Sequence, residues 1–161
     1  MGISCCMLLK QNSNINVVEM YDILQKICVN FDLYIEKIYI EVNEKKKIKS
    51  IRTNVSDRPF DEKILSRQLC VDIFDEPYNL KNNIFEWFDK SKIFFEAIVV
   101  DYFDGNEDLL FKIMFAIVLK YPEAKLWIEE DWFYTLEDLK KIEKNKPFDM
   151  DWCYKNPKDF L

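Results

Sequence analysis

The sequence contains no histidine. That removes the usual general base, the Ser-His and Cys-His dyads and every histidine metal site. Only two glycines occur, Gly2 and Gly105, so neither a Walker loop nor a dinucleotide fingerprint can be written. Alanine and arginine are equally scarce at three each, against 20 lysines and 18 isoleucines. This bias reads as AT-rich coding, of the kind found in low-GC bacteria and their phages. The five cysteines, at positions 5, 6, 28, 70 and 153, are odd in number and lack C-x-x-C spacing. They predict free, buried thiols in a reducing cytoplasm rather than a disulfide framework. Gly2 followed by Cys5-Cys6 approximates an acylation signal, but Cys6 stands where a hydroxyl residue belongs, and SCCMLLK reads as a buried strand.

Apolar bulk is plentiful. Hydrophobic residues make up 49% of the 161, aromatics 16% and charged residues 32%, which predicts a single folded domain over 1–161 with a solvated surface. The net charge of −6 argues against nucleic acid as a partner, because phosphate binding calls for a basic face. The charge is also uneven. Residues 96–138 hold eleven acids and three lysines, whereas residues 36–58 hold seven bases and four acids. An acidic region of this kind suits a basic protein partner, and it also serves solubility.

The hydrophobic pattern sets out the elements. Residues 3–10 predict a strand, and Asn16 with Glu19 resembles a capping box ahead of a helix to Phe31. IEKIYIEV (35–42) alternates, with Ile38, Ile40 and Val42 on one face; NEKK turns, and KIKSIRT returns as a more exposed, basic strand. This gives a ferredoxin-like β-α-β-β opening. Pro59 suits a short helix over 60–69, LCVDIF either finishes it or forms a strand, and NNIFEWF suggests another short helix. IFFEAIVVDYF (93–103) predicts an interior strand, followed by a helix over 106–121 stopped by Pro122. AKLWIEE (124–130) predicts a second strand, parallel to the first, and Thr135 with Asp138 forms a capping box for a helix to about 144. The helix segment LLFKIMFAIVL (109–119) is apolar all round but far short of the ~20 residues a bilayer span requires. It predicts a central helix covered by the sheet and by the aromatic tail FDMDWCYKNPKDFL. The expected class is therefore α+β: a mixed, largely antiparallel sheet with one parallel β-α-β unit and helices mainly on one face.

Candidate function concentrates at the C-terminal ends of strands 93–103 and 124–130. Parallel strands would deliver Asp101, Asp104, Glu107 and Asp108 to the same edge as Glu129, Glu130 and Asp131, where ligands bind in parallel α/β sheets. Three chemistries fit such an edge. Carboxylates can hold Mg²⁺ for phosphate chemistry, but no glycine-rich loop or nearby cationic clamp accompanies them. They can instead serve only as helix and strand termini. Or they can form a docking face, with Tyr102, Trp132, Phe133 and Tyr134 as apolar anchors and the acids steering a basic partner.

DYFDGNEDLL (101–110) and YPEAKLWIEEDWFYTLEDLKKI (121–142), about the C-terminal third of the chain, resemble the toxin-neutralising immunity proteins of bacterial polymorphic and contact-dependent toxin systems. That resemblance implies a small, acidic, cytoplasmic, non-enzymatic protein that binds a basic toxin domain, in many cases with carboxylates that imitate phosphates. It assigns no individual residue. The expected partner-binding set is Asp101, Tyr102, Asp104, Glu107, Asp108, Glu129, Glu130, Asp131, Trp132 and Tyr134. No catalytic residue, cofactor, metal or membrane is expected. A structural or oligomerising subunit, and a sensor holding a small ligand in an aromatic-rich cleft, are the alternatives.

Overall fold

A computed structural model describes residues 2–61, 66–76, 80–81 and 93–160. The elements in chain order are β1 (Cys5–Lys10), α1 (Val17–Asn30), β2 (Tyr34–Val42), β3 (Ile48–Ser56), β4 (Gln68–Phe74), β5 (Leu80–Lys81), β6 (Phe94–Asp101), α2 (Glu107–Lys120), β7 (Lys125–Trp127) and α3 (Leu136–Lys144), followed by two 3-10 turns, Trp152–Tyr154 and Pro157–Asp159. The strands form one sheet in the order β2-β3-β4-β6-β1-β7, with the two-residue β5 pairing beside the start of β6. Every pairing among the described residues is antiparallel.

The α+β class holds, but the parallel β-α-β pair does not form. β6 and β7 both run antiparallel to β1, so they point the same way, yet β1 lies between them. The composition of β1 explains this insertion. Cys5, Cys6, Met7, Leu8 and Leu9 are each at most 3% exposed, so both faces of the strand are covered and its backbone groups need partners on both edges. The ferredoxin-like opening fails for the same reason, since β4 and β6 separate β1 from the β2-β3 hairpin.

That hairpin reverses a second expectation. β3 is the inner strand, paired on both sides, and β2 is the exposed edge. A bulge between Lys37 and Tyr39 breaks the even alternation of Ile38, Ile40 and Val42, which are 51%, 38% and 52% exposed. In the middle segment, Gln68 and Leu69 open β4, so LCVDIF is strand and no helix runs through 69. The helix expected over NNIFEWF lies outside the described residues, as do positions 62–65 of the one expected over 60–69.

The helices pack on the sheet face that carries Cys5, Met7, Ile51, Val55 and Val71. A smaller cluster of Cys6, Leu8, Phe94 and Phe133 occupies the other face. Caps fix the helix starts. The Asn16 side chain accepts from the backbone of Val18 and Glu19, and Thr135 and Asp138 make both bonds of a capping box. The apolar helix α2 is a core element. Leu110, Ile113, Met114 and Val118 are fully buried, and the C-terminal tail lies against Phe111 through Phe148 and Trp152, with ring centroids 5.2 Å away in each case.

Candidate functional site

The register places the two acidic strand ends on one rim. Val100 of β6 lies opposite Cys5, and Trp127 of β7 lies opposite Cys6 on the other side of β1. The ends are thus two strand spacings apart, about 10 Å. Burial pushes the Cys6 thiol up, and Glu96, Cys5, Glu129 and Asp101 push it further, so acids from both ends act on one group at the head of β1.

Each end is shaped by its own turn. After β6, the Asn106 amide donates to the Phe103 carbonyl at 2.7 Å, with Gly105 at φ 81. That left-handed conformation is where a glycine belongs, and it aims Asp104 outward. After β7, the chain makes a loop closed by reciprocal bonds between Leu126 and Tyr134, both 2.9 Å. Inside the loop the Trp127 indole donates to the Glu130 carbonyl at 2.9 Å. Ile128, Phe133 and Tyr134 form buried legs, and Glu129, Glu130 and Asp131 form the exposed tip. Three acids sit among large apolar residues because the apolar ones anchor a loop whose tip is charged.

The ten expected residues divide by environment. Tyr102 is 76% exposed, and Asp104, Glu129, Glu130 and Asp131 are also exposed. Asp101 is half-buried and accepts a hydrogen bond from the Ser4 hydroxyl; Trp132 is half-buried and donates to the Tyr134 hydroxyl at 3.0 Å. Asp108 is engaged by the Arg67 guanidinium, which holds its carboxyl below the usual carboxylate range. Two residues are structural. Tyr134 is fully buried and donates to the Lys155 carbonyl at 2.6 Å, so it is no surface anchor. Glu107 is buried under the tail: its carboxylate accepts from the Tyr154 hydroxyl and its carbonyl from the Trp152 indole, both at 2.9 Å. Burial, with the Glu107 bond, pushes the Tyr154 hydroxyl up.

Sequence reasoning missed Arg67, which pairs with Asp108 at the surface, and the contacts of Trp152 and Tyr154 that bury Glu107. Glu107 and Trp152 are 45 residues apart, and no local spacing signals such a contact. It also missed the backbone of the rim. Tyr102 and Glu129 occupy the left-handed region, with φ 59 and 57. Left-handed backbone is unfavourable for a side chain as bulky as tyrosine, and such outliers cluster at functional sites.

Among the described residues, no three Cys, Asp or Glu side chains are grouped to hold a metal ion. No helix among them is long and apolar enough to cross a membrane. The chain matches no family model, no curated protein and no solved structure.

Proposed function

We propose that the chain is a protein-binding inhibitor that neutralises a basic toxin domain, acting through the rim formed by Tyr102, Asp104, Glu129, Glu130 and Asp131. The observation that carries this reading is Tyr102. It is the most solvent-exposed of the large hydrophobic side chains among the described residues, it stands at a strained backbone position, and Asp101 and Asp104 flank it in sequence on a rim fixed by three strands. An exposed aromatic side chain flanked by acids suits a partner that supplies an apolar pocket and cationic surroundings. Two hydrogen-bonded turns present the carboxylates in the open without ion-pair partners among the described residues, as mimicry of a phosphate chain requires. The likeness of 101–110 and 121–142 to immunity proteins points the same way.

The test is co-expression with a basic toxin domain, where a neighbouring gene encodes one. Growth should be rescued by the wild-type chain and lost with Glu129→Lys/Glu130→Lys/Asp131→Lys. Like-charge juxtaposition at an interface costs several kcal/mol, so affinity should fall about a hundredfold or more. A triple variant with native affinity would remove the rim as the docking face. Failure of the wild-type chain to bind any such toxin would end the functional reading itself.

The exposed edge of β2 favours a second reading, an oligomerising subunit. Ile38, Tyr39 and Val42 are each more than half exposed on a strand that stands at the end of the sheet order among the described residues, the kind of edge that recruits another strand. Sedimentation velocity decides it, since a chain that stays monomeric at high concentration does not assemble through that edge.

A further inference from the structure

A groove of about 580 Å³ runs along α2, beginning at Asp108 near the helix start. Its floor is a stripe at helical spacing, Phe111, Lys112, Phe115, Ala116 and Leu119. From Asp108 to Leu119 the stripe is about 16 Å long. One wall is Phe31, just past α1, and the other is the tail at Phe148 and Met150. Phe31, Leu119 and Met150 are 38%, 49% and 42% exposed, so three large apolar side chains left in water converge on one trough. Clustering of this kind marks a binding surface.

The volume selects the size of the occupant. It lies within the range of small-molecule sites, which are apolar with a few placed polar groups. Charge selects the head group. Two ammonium groups, Lys112 and Lys146, line the groove along with the carboxylates of Asp108 and Glu143. Arg67 pairs with Asp108 from outside the groove, which leaves the two lysines facing Glu143 alone, on a protein of net charge −6. The Lys112 ammonium is held 5.5 Å above the Phe31 ring, at the wall rather than swung into solvent. We propose that this groove binds one amphipathic anion, an acyl or aryl body lying along α2 with a carboxylate or sulfonate paired to Lys112 and Lys146.

Titration of the full chain with 1-anilinonaphthalene-8-sulfonate, followed by displacement with dodecanoate, tests the proposal. Saturable one-to-one binding is expected, with displacement by dodecanoate and much weaker displacement by uncharged dodecanol. Leu119→Glu places a charge on an exposed floor position, and Lys112→Glu reverses the head-group contact. Each should weaken both ligands about tenfold or more, the scale of one buried apolar side chain or one charge contact. Near-UV circular dichroism confirms that each variant is folded. Lys45→Glu, in the exposed turn between β2 and β3, should leave binding unchanged. Absence of saturable binding, native affinity in the Leu119 and Lys112 variants, or loss of binding in the Lys45 variant would each overturn the site. Dodecanol competing as well as dodecanoate would overturn the anionic specificity.

Discussion

Trp152 offers the sharpest test of the way the tail is tied to the rim. Its side chain is fully buried, its indole donates to the Glu107 carbonyl at 2.9 Å, and its ring meets Phe111 and Tyr134 edge-on at 5.2 and 5.5 Å. Trp152→Ala removes the ring from a packed core and should cost about 3–5 kcal/mol, a large share of the roughly 5–15 kcal/mol that a domain holds. Trp152→Phe keeps a ring but loses the indole donor and part of the volume, for about 1–2 kcal/mol. With a urea slope of about 2 kcal/mol/M, the midpoint should fall by about 1.5–2.5 M for alanine and about 0.5–1 M for phenylalanine. A double-mutant cycle with Phe111→Leu should return about 0.5–1.5 kcal/mol of coupling, the surplus of an edge-on aromatic pair over its area. The assay is urea unfolding followed by far-UV circular dichroism. A Trp152→Ala protein within 0.5 kcal/mol of wild type would mean that the tail does not close the helix layer, and the burial of Glu107 would fall with it.

Two further outcomes follow from the rim and its neighbours. Tyr102→Gly relieves a left-handed residue and should leave stability within about 1 kcal/mol of wild type, while removing the proposed anchor and weakening toxin binding by about tenfold or more; native affinity in that variant would discard Tyr102 as the anchor. Arg67 lowers the folded-state carboxyl of Asp108, and Lys155 does the same to Asp149 at 2.5 Å, so the stability these pairs supply is present above the unfolded carboxylate range and is lost as pH falls below about 4; Arg67→Gln should flatten that acid limb in urea midpoints taken from pH 5 to 2.5, and an unchanged limb would refute the link.

The parts of this fold that were legible in the sequence are those fixed by local chemistry. Asn16 and Thr135 announce their helices because a side-chain oxygen next to unpaired amides has one obvious use. The length of α2 follows from first-turn acids and a stopping proline, and its cover was readable in the aromatic tail, since a helix apolar all round needs a second roof. Strand order was not legible. β6, α2 and β7 read as a parallel unit, and they do keep a common direction, but pairing depends on which third strand most needs two neighbours. That strand is β1, nearly a hundred residues earlier, and its claim is visible only once both of its faces are known to be buried. The shared rim survives this error because inserting β1 widens the gap between the strand ends without turning either around.

The same distinction separates the rim residues. Charge and sequence position brought ten side chains to the edge, but long-range partners decide which remain available. Arg67 takes Asp108, Tyr154 takes Glu107, and the Lys155 carbonyl takes the Tyr134 hydroxyl, all across more than twenty residues of chain. A buried or fully paired acid adds nothing to a docking face, because the free energy of pairing it is already realised within the fold. Glu129, Glu130 and Asp131 escape this fate through their loop. Buried legs at Ile128 and Phe133 fix the two ends by apolar contacts, so the tip needs no internal counter-charge. Exposed charge without an ion-pair partner, on the same rim as an exposed ring, is a poor way to stabilise a monomer, since the repulsion and the strained backbone are borne by the isolated chain. It becomes favourable when a cationic surface closes over it, and that asymmetry between the free and the bound state is the physical content of the proposed inhibition.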